Sequence, residues 1–177
     1  MPGPRHLSDR EFAPAPLGGR VRLMTWLSMV SVVVADAIVA VLLMERYPPW
    51  RVWSGLLIAP ALVGVIWYGA LIRRYRLRGD EIVVERAWLT ARLPLAGLVA
   101  VETDREALRG ACKIFGNDGL GAYAGRFRSK KLGKFRAYVS DPACAVVLRW
   151  PDRCLVVSPA QPGEFVDAVQ ARLAGRY

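Results

Sequence analysis

Six cations, Arg126, Arg128, Lys130, Lys131, Lys134 and Arg136, fall within eleven residues, most of them at alternate positions. Residues two apart on a strand share a face, so the stretch reads as a β-ribbon that turns at 129–133 and carries a row of positive charge. The chemistry such a row offers is recognition of anions, whether lipid head groups or acidic protein segments. A charged face that merely blocks edge pairing is the plainer use of the same residues.

Groups that make or break bonds are sparse. His6, the single histidine, lies in residues 1–22, where Pro, Gly and charges mix without periodicity and a mobile cytoplasmic tail is expected. Imidazole general-base catalysis and His-based metal sites are therefore not expected. Cys112, Cys144 and Cys154 have no Cys-x-x-Cys spacing and read as small apolar residues. Residues 119–124 formally fit a G-x-G-x-x-A dinucleotide pattern, but an alternating basic strand follows where that motif needs a helix. No P-loop is present, no nucleophile elbow surrounds Ser140 or Ser158, and the carboxylates are scattered. The reading is a non-enzymatic chain without metal or cofactor. Tyr123, Phe127 and Tyr138 interleave with the cations, yet Phe127 belongs to a core, so too few stacking faces remain for nucleic acid.

Alternation positions the charges. Tyr123, Gly125 and Phe127 fall on one face, with Ala124, Arg126, Arg128 and Lys130 on the other; Phe135, Ala137 and Val139 then oppose Lys134, Arg136 and Tyr138. The glycines of 115–121 tolerate positive φ, so that stretch is expected to be a shaped loop.

These residues also carry a resemblance. Phe115, Gly116, Asn117, Gly119, Gly121, Tyr123, Gly125 and Phe127, then Lys131, Leu132, Gly133, Phe135 and Tyr138, with Ser158-Pro159 and Phe165, look like the bacterial pleckstrin-homology-like domain family over residues 74–173. The resemblance implies a pleckstrin-type barrel plugged by a final helix, membrane helices ahead of it, and a binding or scaffolding role. Phosphoinositide binding is not implied, because no lipid-binding loop pattern is identifiable. Asp118 and the small Ala122 depart from the family pattern.

Two apolar runs precede the domain. Residues 23–44 carry one charge, Asp36, and residues 52–72 none, with ERYPPWR between them. Each is long enough to span a bilayer, so a transmembrane hairpin is expected. Arg5, Arg10, Arg20 and Arg22 before the runs, and Arg73, Arg74, Arg76 and Arg78 after them, outnumber Arg46 and Arg51 in the loop. The positive-inside rule then puts both termini in the cytoplasm of a bacterial plasma membrane. Asp36 violates the apolar pattern. Its expected use is a hydrogen bond to Ser54 or to the Leu56 carbonyl freed by Pro60. An oligomer contact and ion or proton handling are the alternatives, the last making the chain an accessory subunit of a membrane enzyme or transporter.

Beyond residue 73 the period becomes two. Strands are expected at 75–78, 81–86, 88–93, 98–103, in the ribbon, at 145–150 and at 154–157, followed by a helix bearing Phe165, Val166, Val169 and Leu173. The fold class is α+β, an antiparallel barrel or sandwich of seven to eight strands with a C-terminal helix, in a domain of residues 73–177. That domain holds 19 Lys+Arg against 11 Asp+Glu, most of the chain's net charge of +10.

Overall fold

A computed structural model describes residues 9–175. His6 and Arg5 lie outside the described residues.

The chain does not wait for the helices before it orders. Strand β1 (Arg10–Phe12) pairs antiparallel with β2 (Ile72–Arg78), Glu11 opposite Arg76. A mobile tail was expected here; instead Phe12 packs edge-on against Phe165 at 5.1 Å, and Ala15 N–H donates to Ser158 O at 2.8 Å. Pro14, which cannot extend a central ladder, makes only an isolated bridge to Pro159.

Helix α1 (Gly19–Leu43) is apolar almost all round, and among the described residues it alone is long and apolar enough to cross a membrane. The second apolar run is not one span. It divides into α2 (Pro49–Leu56) and α3 (Ile58–Ala70), and the 13-residue α3 reaches only about 20 Å, short of a bilayer core of about 30 Å. The division at Leu57 lies just ahead of Pro60, whose ring is tolerated in a first helical turn and excludes the carbonyl four residues back. Ile72, expected inside the span, belongs to β2.

Two sheets follow. The first runs β1-β2-β3-β4, with β3 at Glu81–Arg86 and β4 at Thr90–Pro94. The second contains β5 (Ala100–Thr103), β6 (Cys112–Asp118), β7 (Tyr123–Ser129), β8 (Gly133–Val139), β9 (Val146–Arg149) and β10 (Cys154–Val157) in the order β5-β9-β10-β8-β7-β6. Of the antiparallel barrel or sandwich expected, the barrel is corrected, because β4 and β6 each end a sheet and the sheets do not close, and so is the wholly antiparallel pairing, because β8 and β10 pair in parallel. Ten strands are present among the described residues, β1 and β6 having formed where a tail and a loop were expected.

Each face of the second sheet is covered over part of its length. Between the sheets lie Tyr75, Leu77, Ile82, Val84, Leu148 and Leu155, closed by Phe165 and Val169 of α4 (Pro162–Ala174), as the stripe on that helix implies. Behind it, Phe127, Phe135, Val139, Val147 and Val156 pack beneath Ala107, Leu108 and Ala111. Burial of each such side chain contributes about 1.5–3 kcal/mol, enough to fix the ribbon's register.

Candidate functional site

In the β7–β8 ladder Arg126 stands opposite Arg136 and Arg128 opposite Lys134. Like charges directly opposed are destabilising, and none of these four has a carboxylate partner among the described residues. The same face nearer the helices holds Ala124 and Tyr138, both buried between the sheets. Tyr138 is thus not the outward residue that alternation implies; the face passes from buried to exposed along the strands.

At the exposed part of that face lies a cleft of about 420 Å³. Arg92 and Leu93 of β4, Ile114 of β6, Arg126 of β7, Lys134 and Arg136 of β8, and Asp152 and Arg153 of the β9–β10 turn line it. Five cations face one carboxylate there, above a partly apolar lining. Ile114 reaches the cleft through an irregularity: Lys113 pairs with Phe127 and Phe115 with Arg126, leaving Ile114 extra in the ladder. Arg92 and Arg153 escape a reading of the sequence because only tertiary packing brings them beside the ribbon.

The other ribbon cations behave differently. Lys131 donates to Asp104 Oδ2 at 2.6 Å, so its charge is already matched. Burial pushes the Asp104 carboxyl up, but the Lys131 hydrogen bond, the Glu106 N–H, and the charges of Lys131 and Arg149 together hold it below its ordinary value. Arg128 and Lys130 lie at the β7–β8 turn, outside the cleft lining.

The arginines after the helices are stitched into the first sheet. Arg74 contacts Glu11 and Glu85 at 3.2 and 3.1 Å, Arg76 contacts Glu85 at 3.0 Å and also Glu11, and Arg78 lies 3.6 Å from Asp9. Arg73 donates to the Tyr68 hydroxyl.

The glycine motif is a strand and a clamp where a loop was expected. Gly116 (φ +117) faces Gly125 (φ +153), and a Cβ on either would collide with the carbonyl oxygen of Ala124 or Phe115. Asn117 Nδ2 donates to Ala122 O at 3.0 Å and to Leu120 O, closing the turn ahead of Tyr123. Gly121 N–H then donates to Thr25 Oγ1 of α1 at 3.0 Å, and that hydroxyl lies 3.2 Å from Gly119 O and 2.8 Å from Val21 O. A Cβ on Gly121 would sit 2.8 Å from Trp67 of α3. Phe115 itself is 77% exposed.

Other contacts to the helices lie at the same end of the domain: Gly18 N–H donates to Ser140 O at 3.1 Å, and Gly69 packs against Trp88 in the β3–β4 turn. The β7–β8 and β9–β10 turns lie at the opposite strand ends. At about 3.3 Å per residue, seven-residue β7 carries the chain about 20 Å from the Gly119–Gly121 turn to Lys130.

Asp36 is half-buried on α1, and its Oδ2 has no hydrogen-bond partner among the described residues. Its expected partner Ser54 lies outside the described side chains. The described residues contain no His, Cys, Asp or Glu group able to hold a metal.

Two stacked sheets with a helix filling one end, approached by an apolar N-terminal helix, define a PH-like domain. The chain belongs to the bacterial PH domain family, whose model matches residues 73–173, more than half its length. That membership supports a binding or scaffolding module. Comparison with curated proteins and with solved structures returned no match.

Proposed function

We propose that this chain is a non-catalytic, membrane-anchored binding module whose basic cleft takes an acidic segment of a protein partner. The observation that carries this reading is the cleft's position, from the middle of the β7–β8 ladder toward the strand ends remote from the helices.

Membrane anchoring rests on α1. Val21 and Thr25 are buried against the domain, whereas from Trp26 to Leu43 the helix is mostly exposed and apolar, a length of about 27 Å that suits a bilayer core. Trp26 at one end, with Tyr47 and Trp50 at the other, suits the two interfaces. Since β1 and β2 pair, the chain enters α1 and comes back from α3 on the same side of the domain. Arg20, Arg22 and Arg73 on that side favour a cytoplasmic domain, with the termini there.

Lipid head groups and protein partners both supply anions, and distance decides between them. Screening at physiological salt acts over about 8 Å. Along the ladder the cleft's Arg126–Arg136 pair stands about 10 Å, and Lys134 about 17 Å, from the Tyr123–Val139 end that docks the helices, beyond one screening length, so the leaflet's charge reaches them weakened. An acidic segment delivered from the cytoplasm meets them directly, and anchoring raises the effective concentration of a partner held at the same membrane.

The test uses the full chain in nanodiscs. An oligoglutamate decamer is expected to bind in zwitterionic discs at low salt, to weaken at physiological salt, and to lose roughly tenfold or more in affinity with Arg126→Glu or Arg136→Glu. Loss of peptide binding when anionic lipid is added to the disc would mean that the cations face the leaflet and would overturn this reading.

A further inference from the structure

The cleft is bordered by two strands that each end a sheet. β6 pairs with β7 alone among the described residues, and six of its seven residues are exposed. Among the described residues β4 pairs with β3 alone. An uncovered edge of seven residues without proline is a template for another strand, and a charged device to repel one is nearly absent: β6 carries only Lys113 and, at its far end, Asp118.

We propose that the acidic partner segment binds as an added strand on the free edge of β6, its alternate side chains entering the cleft toward Arg126, Lys134 and Arg136. This rests on the anionic reading of the cleft and adds to it the partner's conformation. Three observations converge. The edge is unpaired and borders the cleft through Ile114, whose extra place in the ladder turns it there. Phe115, opposite Arg126 and 77% exposed, offers apolar cover for an incoming strand. Along an added strand, side chains on one face recur about every 7 Å, so a segment with acidic residues at alternate positions presents a row of carboxylates to the cations. A second copy is disfavoured as the occupant, since it would bring its own basic ribbon to a cleft that holds five cations and one carboxylate.

The full chain in zwitterionic nanodiscs is titrated with an eight-residue peptide alternating glutamate and valine, and with the same peptide N-methylated at alternate amides. Methylation preserves charge and removes strand hydrogen bonding. The expected results are at least about tenfold weaker binding of the methylated peptide and slowed hydrogen exchange at Cys112–Asp118 only with the parent. Equal affinity of the two peptides, with no protection of β6, would overturn strand addition and leave the anionic cleft standing. Failure of both peptides and of oligoglutamate would overturn both readings. Protection of β6 in the absence of peptide, rising with protein concentration, would assign the edge to a second copy and overturn the proposal.

Discussion

Tyr75 shows how one residue ties the domain together. It is fully buried; its hydroxyl donates to Tyr138 O at 2.8 Å and accepts from Ser158 N–H at 3.1 Å. Tyr75→Phe leaves that N–H without its acceptor and should cost about 1–3 kcal/mol in a denaturation midpoint. Burial pushes the phenol up to about 12, outweighing the Ser158 hydrogen bonds that lower it. The folded value lies above the unfolded one of about 10, so this contribution is complete below pH 10 and is lost as pH rises toward 12. An alkaline melt monitored by circular dichroism should show that loss in the wild type and lack it in Tyr75→Phe. Asp104 has the opposite sign: its lowered carboxyl stabilises above about pH 4 and ceases to as pH falls through the folded value, an effect kept small by the exposure of Lys131. Gly125→Ala would drive a Cβ into the Phe115 carbonyl at a φ of +153 and should destabilise by at least about 2 kcal/mol, read as a lowered thermal midpoint.

At the scale of elements, what was legible depended on whether a strand keeps one environment along its length. The inward set Phe127, Phe135, Ala137 and Val139 follows period two and forms one cluster, so alternation finds it. Ala124 and Tyr138 share the cations' face yet are buried, because the opposing sheet covers only one end of that face. β6 hid behind Gly116 and its extra residue, both of which erase alternation, and β1 behind flanking prolines. The second apolar run was legible in hydropathy but not in continuity, since only backbone geometry near Pro60 divides it. In the cleft, Arg126, Lys134 and Arg136 could be picked out from sequence; Arg92 and Arg153 could not, as they arrive from β4 and the β9–β10 turn, 34 and 27 residues away from Arg126. The clamp between the glycine turn and α1 was equally hidden, because Thr25 looks like one more residue of an apolar helix. Thr25→Val keeps the shape and removes the hydroxyl, leaving the Gly121 N–H unmatched. Faster hydrogen exchange at 119–123 is the expected outcome, with the β7–β8 ladder unchanged.

For the whole molecule, the arrangement separates two tasks along one axis. The helices dock at one set of strand ends through Thr25, Trp67, Gly18 and Gly69, and the unmatched cations gather toward the other. Several arginines beside the helices are spent on Asp9, Glu11 and Glu85, so they brace the first sheet. On the function proposed above, a module built this way is held at the membrane and presents its charge away from it. The most direct test is depth. With Cys112, Cys144 and Cys154 replaced by serine, a fluorophore is placed at Lys130→Cys or at Arg20→Cys in the full chain, in discs containing head-group nitroxide lipid. The account predicts strong quenching at residue 20 and none at residue 130 beyond that of free dye. Comparable quenching at both would put the ribbon on the leaflet and contradict it.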